Sequence, residues 1–173
     1  TLIFDVTNDV TYPECYLPLC RVYEQIRAEG ERTPQVCFLA SWKSAEKVYE
    51  EFYSKGLHSD LWFRWKGKPL LLFGQHEGMK REEEFSEEIR AFFTMRSSWA
   101  WDNPRWWRDG YHQWPWVAHY PQVFGWDKPG VPEQVPVCVA QHPIYNIGRS
   151  FHDGTQPQTD KYDLTPFTAE GLC

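Results

Sequence analysis

The chain has 173 residues, a length that suits one domain or part of a larger one, and two domains are not expected. With 42% apolar and 24% charged residues the composition is globular rather than disordered, and no apolar run is long enough for a membrane-spanning helix. Eighteen Lys and Arg against 24 Asp and Glu give a formal charge of −6. With no basic cluster to set against that charge, nucleic acid is not an expected partner.

Residues Leu2 to Val6 form an apolar, β-branched run that predicts a buried strand. After Thr7, Asn8 and Asp9, the residues Tyr16, Leu19, Cys20, Tyr23 and Ile26 recur at helical spacing until Gly30. Pro18 must then sit in the first turn or kink the helix. Gln35 to Ala40 predicts a second strand. Ser44 to Gly56 predicts a second helix with Val48, Tyr49, Phe52 and Tyr53 on its inner stripe. Ser44 is its expected N-cap, with Lys47 standing where a full capping box has Glu.

Leu61 to Trp65 and Pro69 to Phe73 flank Lys66, Gly67 and Lys68, a hairpin-like turn leading into a third buried strand. Glu82 to Arg90 predicts a short charged helix, and Phe92 to Met95 a fourth strand. From Asp102 to Glu133 the chain is rich in Trp and Pro without a sustained period, and Gln134 to Ala140 is the last predicted strand.

Strands alternating with helices imply parallel βαβ units, hence a doubly wound sheet or a (β/α)8 barrel. A doubly wound nucleotide fold needs a glycine-rich turn after its first strand; Asp5 to Val10 contains no Gly, and no Walker sequence occurs. The predicted fold class is therefore α/β, a partial (β/α)8 TIM-type barrel with about five of its eight strands and a long Trp- and Pro-rich loop. Polar or aromatic residues follow each predicted strand, at the rim where barrel active sites are built: Asp5 and Asn8, Ser41 and Trp42, Gln75 and His76, Arg96 and Trp99, Gln141 and His142.

Three segments carry a resemblance. The run Asp5 to Asn8, the hairpin Leu61 to Leu70, and Val135 to Pro143 followed by Asn146 to Phe151 are similar to the middle of glycoside-hydrolase-like (β/α)8 proteins, the broad group containing endo-α-mannosidases and fungal α-glucanases. The similarity covers nearly the whole chain in element order, but its residue patches are short and none is a catalytic signature. It implies a carbohydrate-active protein acting on an oligo- or polysaccharide by carboxylate acid/base catalysis. The alternatives are a noncatalytic carbohydrate-binding protein and a metal-dependent hydrolase on a barrel scaffold. A glycan partner would imply a secreted or periplasmic protein; oligomeric state is not readable.

Glycoside hydrolysis in its usual form needs two carboxyl groups facing one bond. Asp5 is the carboxylate clearly at a strand end, where it can orient a sugar hydroxyl, act as base, or simply bond the loop amides. Asn8 beside it is a natural turn former. Asp102, Asp109, Glu133 and Asp153 are loop carboxylates that sequence does not place.

His142 follows a strand directly and can donate to a hydroxyl or assist proton transfer near neutral pH. Trp99 and Trp101 beside Arg96 supply flat apolar faces with a donor, the pairing a pyranose requires. Trp42, Gln75, His76, His119 and Gln141 complete the expected substrate-binding set. Arg149 either clamps substrate or ties its loop to Asp153. His58, His112 and His152 read as ordinary loop residues. His76, His119 and His142 with Asp5 lack metal-motif spacing, so no metal and no cofactor is expected.

The five cysteines contain no C-x-x-C pair and read mainly as buried thiols, with disulfide pairing left open. Thr1 opens directly inside an apolar run, and the helix start near Thr168 stops within one turn. These ends predict an internal fragment of a catalytic barrel, able to bind a glycan at most and without turnover of its own.

Overall fold

The computed structural model describes residues 1–74, 82, 85–98, 112–114 and 124–136. The chain divides into two compact units, Thr1–Ser97 and Ser98–Cys173. The first unit contains β1 (Leu2–Val6), α1 (Pro13–Ala28), β2 (Val36–Ala40), α2 (Trp42–Val48), β3 (Arg64–Trp65), β4 (Lys68–Phe73), α3 (Glu87–Phe92) and β5 (Thr94–Ser97). The second unit contains the hairpin β6 (Gly125–Lys128) and β7 (Val131–Gln134).

Strands β1, β2, β4 and β5 are parallel and stand side by side in chain order, while β3 runs antiparallel to the start of β4. The expected βαβ alternation is thus present, as a mostly parallel five-stranded sheet. Phe63 ties the β3–β4 hairpin to β2: its N–H donates to the Val36 carbonyl at 2.8 Å and its carbonyl accepts from the Leu70 N–H at 2.9 Å. Lys66 and Gly67 turn this hairpin with φ of 53° and 85°, the two positive values that a tight hairpin turn matching strand twist requires.

Strand residues alternate between two faces. Phe4, Val6, Val36, Phe38, Ala40, Leu71, Phe73 and Met95 pack toward Tyr16 and Cys20 of α1, Ala45 and Val48 of α2, and Ile89 of α3. The other face carries Ile3 and Asp5, Cys37 and Leu39, Leu70 and Leu72, then Thr94 and Arg96. Because Cys37, Leu39, Leu70 and Leu72 are as buried as the helix-facing set, β2 and β4 read as unbroken apolar runs, as strands covered on both sides do.

Several local expectations are corrected. Ser41, not Ser44, caps the second helix: the Ser41 hydroxyl accepts from the Ser44 N–H at 3.2 Å, and the Ser44 hydroxyl accepts from the Ser41 N–H at 2.9 Å. A serine at the third position supplies the reciprocal bond that the sequence seemed to lack. The helix also does not run uniformly to Gly56, since Tyr49–Tyr53 form a π-helical turn in which the Ser54 N–H reaches the Tyr49 carbonyl at 2.8 Å.

Pro18 sits inside α1 beyond its first turn; Pro13 occupies the helix start instead. Helix α3 begins after Ser86, whose hydroxyl accepts from the Ile89 N–H at 3.3 Å, so Phe92 is helical and the following strand starts at Thr94 rather than at Phe92. Gln134 ends a strand rather than beginning one, and the described residues Val135 and Pro136 are not in a strand. The β6–β7 hairpin lies in a stretch that showed no period.

Burial governs thiol chemistry here. Cys20 and Cys37 are inaccessible, and burial pushes their thiols up to about 11 and about 12, whereas Cys15 is exposed. Since the thiolate is the nucleophile, iodoacetamide at pH 8 is expected to label Cys15 in the native protein and to spare Cys20 and Cys37 until urea unfolds it. Peptide mass mapping reads the result. Native-state labelling of Cys37 at the rate of Cys15 would contradict the packing.

Candidate site at the strand C-terminal ends

Register places Asp5 beside Leu39, Leu39 beside Leu72, and Leu72 beside Arg96. These four residues form one row across the sheet on the face away from the helices, with a carboxylate at one end and a guanidinium at the other. Three strand spacings put the ends about 14 Å apart along the sheet. Two leucines therefore separate them; Leu39, Leu72 and Arg96 are buried, so the accessible group of the row is Asp5. Among the described residues it holds one carboxylate.

Asp5 is exposed, and its Oδ1 accepts from the Thr7 N–H at 3.0 Å and the Thr7 hydroxyl at 2.7 Å. One oxygen thus organises the turn after β1, the local role that competes with chemistry at a strand-end Asp. Arg96 is 3% exposed, and its Nη1 donates to the Met95 carbonyl at 2.7 Å. The adjacent Ser97 hydroxyl is buried with no hydrogen-bond partner among the described residues.

The loop between β1 and α1 is held from several sides. Asp9 accepts from the Ser41 hydroxyl; Lys43 Nζ lies 3.3 Å from its other oxygen, and Lys47 Nζ donates to its carbonyl at 3.0 Å. The Ser41 bond holds the Asp9 carboxyl below its ordinary range; slight burial opposes this, and Lys43 then adds to the lowering. Asn8 donates its side-chain amide to the Tyr12 hydroxyl and accepts from the Val10 N–H at 3.3 Å. Thr11, buried, donates to Glu51 at 2.9 Å. Asp9 and Tyr12 both have left-handed backbones, with φ of 67° and 53°, a conformation that opposes L side chains by roughly 1–2 kcal/mol per residue.

Trp42 opens α2 half-buried, with Lys43 Nζ 5.5 Å from the centre of its ring. The structure thus sets Asp5, Asn8, Trp42 and Arg96 at or just beyond strand C-terminal ends, with Asp5 and Arg96 sharing a row. The other expected site residues, Gln75, His76, Trp99, Trp101, His119, Gln141, His142 and Arg149, lie outside the described residues. So do Asp102, Asp109 and Asp153.

Sequence reasoning missed Asp9 and Tyr12. The Thr7–Asn8–Asp9 turn signal marked a loop, but a left-handed tyrosine leaves no trace in residue pattern.

In the second unit, Glu133 is a β7 residue, and its Oε2 accepts from the Trp114 indole N–H at 3.2 Å. His112, a loop residue as expected, is tied to this hairpin: its Nε2 lies 3.5 Å from Asp127 Oδ1, and its backbone N–H donates to the Trp126 carbonyl at 2.7 Å. Among the described residues, no group of three or more His, Cys, Asp or Glu could hold a metal ion, and no helix is long and apolar enough to cross a membrane. Comparison with protein-family models, curated proteins and solved structures gave no match.

Proposed function

We propose that this chain forms part of a glycoside-hydrolase-like (β/α)8 domain that binds an oligo- or polysaccharide at the C-terminal ends of its strands. The observation that carries the reading is the order of the parallel strands: β1, β2, β4 and β5 are neighbours in chain order without a reversal, as successive barrel strands are. A doubly wound sheet would reverse, and its crevice would open at that switch point. Support from chemistry comes from the row between Asp5 and Arg96. Its exposed end, Asp5, offers a hydroxyl acceptor at the end of β1, whereas Leu39, Leu72 and Arg96 are buried in the sheet.

In the catalytic form of this reading, Asp5 orients a hydroxyl or serves as base, and His142 assists proton transfer. Gln75, His76, Trp99, Trp101, His119, Gln141 and Arg149 complete the substrate contacts. Hydrolysis requires a second carboxyl group about 5–9.5 Å from the first. Among the described residues the row holds one carboxylate, which is what the second reading, noncatalytic carbohydrate recognition at the same rim, requires.

The two readings separate in one comparison. Binding of the protein to a broad glycan array is expected, and Asp5→Asn is expected to retain binding. Release of reducing ends by the parent protein, surviving chelation and lost in Asp5→Asn, identifies a hydrolase; binding without release identifies a recognition protein. An array on which no glycan is retained overturns both.

A further inference from the structure

Five non-glycine residues among those described have positive φ, and four have a local reason. Lys66 serves the β3–β4 hairpin turn. His58 is paired with Glu24 at 2.8 Å and lies against the Phe52 ring. His112 is anchored to Trp126 and Asp127. Asp9 belongs to a residue type that tolerates this region and is tied to Ser41, Lys43 and Lys47.

Tyr12 has one such tie, the bond from Asn8 to its hydroxyl, and nothing that holds its backbone in this region. It precedes Pro13, a position that favours extended backbone, yet its φ and ψ are 53° and 52°. It stands at the N-cap of α1 without giving that helix a side-chain cap. Its carbonyl accepts from the Cys15 and Tyr16 N–H groups at 2.9 and 3.3 Å, bonds that any residue could make. Tyr12 is 36% exposed, so part of its side chain is open to solvent. A strained, exposed aromatic residue beside a candidate site is the pattern in which backbone strain serves function.

We propose that Tyr12 is a sugar-stacking residue. Its exposed ring is held beyond the end of β1 to lie against the CH face of a pyranose, with the Asn8 bond to its hydroxyl fixing the ring's direction. This rests on the carbohydrate reading above and adds to it a binding residue on the β1–α1 loop. Aromatic faces give large contact area at little conformational cost, which suits them to this role.

The test uses tetrasaccharides of glucose, mannose and xylose as probes, with titration calorimetry and thermal unfolding of the parent protein, Tyr12→Gly and Tyr12→Phe. Glycine relieves the left-handed strain and retains both backbone bonds, so Tyr12→Gly is expected to leave Tm unchanged or raise it by up to about 4 °C. The same variant is expected to weaken the bound tetrasaccharide about tenfold or more, while Tyr12→Phe, which keeps the ring, stays within about threefold of the parent.

Undiminished affinity in Tyr12→Gly overturns the inference and leaves the carbohydrate reading standing. A fall in Tm beyond about 4 °C makes Tyr12 a structural residue and overturns it too. Equal losses in Tyr12→Phe and Tyr12→Gly assign the effect to the hydroxyl and overturn stacking. If the parent binds none of the three probes and no glycan on the array, the carbohydrate reading and the role of Tyr12 fall together.

Discussion

Phe38→Ala is expected to destabilise the unit Thr1–Ser97 by about 3–5 kcal/mol. Phe38 is fully buried on β2, and four rings converge on it: Phe4 from β1 at 5.4 Å, Tyr16 from α1 at 5.2 Å, and Phe52 and Tyr53 from the π-helical turn at 5.6 and 5.9 Å. Tyr16, Phe52 and Tyr53 meet it edge-on, so each ring is placed by its neighbours as well as by its own backbone. Removing the central ring leaves a cavity whose walls belong to three separate elements. Collapse would have to move a strand and two helical segments together, which places the cost in the upper part of the range for buried aromatic residues. Urea unfolding monitored by far-UV circular dichroism measures this as a lower midpoint at constant slope. A loss under about 1 kcal/mol would mean that the cluster closes over the gap and that Phe38 is not its centre.

Gly125→Ala is expected to disrupt the packing of the β6–β7 hairpin in the second unit. A methyl group at Gly125 would lie 2.5 Å from the Gln113 carbonyl oxygen and 2.7 Å from Cδ1 of Trp114. The first is a backbone atom and cannot rotate away, and the second belongs to a side chain already bonded to Glu133 at 3.2 Å. The obstacle is crowding rather than φ, since Gly125 has no positive φ. Overpacking of this kind costs about 1–3 kcal/mol, and here it must separate the segment 112–114 from β6. The His112 N–H, which donates to the Trp126 carbonyl at 2.7 Å, is the local reporter. Its hydrogen exchange should accelerate about tenfold or more in the variant, a factor corresponding to roughly 1.4 kcal/mol of lost protection. Unchanged exchange would show that the segment yields without loss.

The parts of this fold that could be read from sequence are those dictated by burial on both faces. Runs such as Val36 to Ala40 and Leu70 to Phe73 are continuous and apolar because each strand side meets a packed layer, and their short length between turn signals then identifies strands. The Lys66–Gly67 turn was readable because Gly is the residue that tolerates its backbone. Ser41 was missed as a cap because two serines three apart offer the same signal, and the inner stripe of the helix begins after both. The β6–β7 hairpin escaped because aromatic and proline residues mask alternation, although Pro129–Gly130, with Gly130 at φ 76°, is the turn signal that marks it.

At the candidate site, Asp5 and Arg96 were readable because they terminate apolar strand runs. Their placement in one row was not readable, since register is set by pairing across strands separated by long stretches of chain. Tyr12 was hidden for a different reason. Its distinguishing feature is a backbone dihedral angle, which no composition or spacing encodes when the residue is not glycine.

The π-helical turn at Tyr49–Tyr53 has a bearing on how the chain tolerates change in length. Each residue advances a helix by about 100°, and the wider turn absorbs one residue more than an α-helical path would hold. It sets Phe52 and Tyr53 against Phe38 while Glu51 still meets Thr11. A single-residue deletion there would restore a regular helix with the segment beyond it still in phase, while Phe52 and Tyr53, which belong to the wide turn itself, would lose the placement that sets them against Phe38. Insertions and deletions are therefore better accommodated in surface turns such as Lys66–Gly67 than in this segment, where the count of residues is itself part of the core.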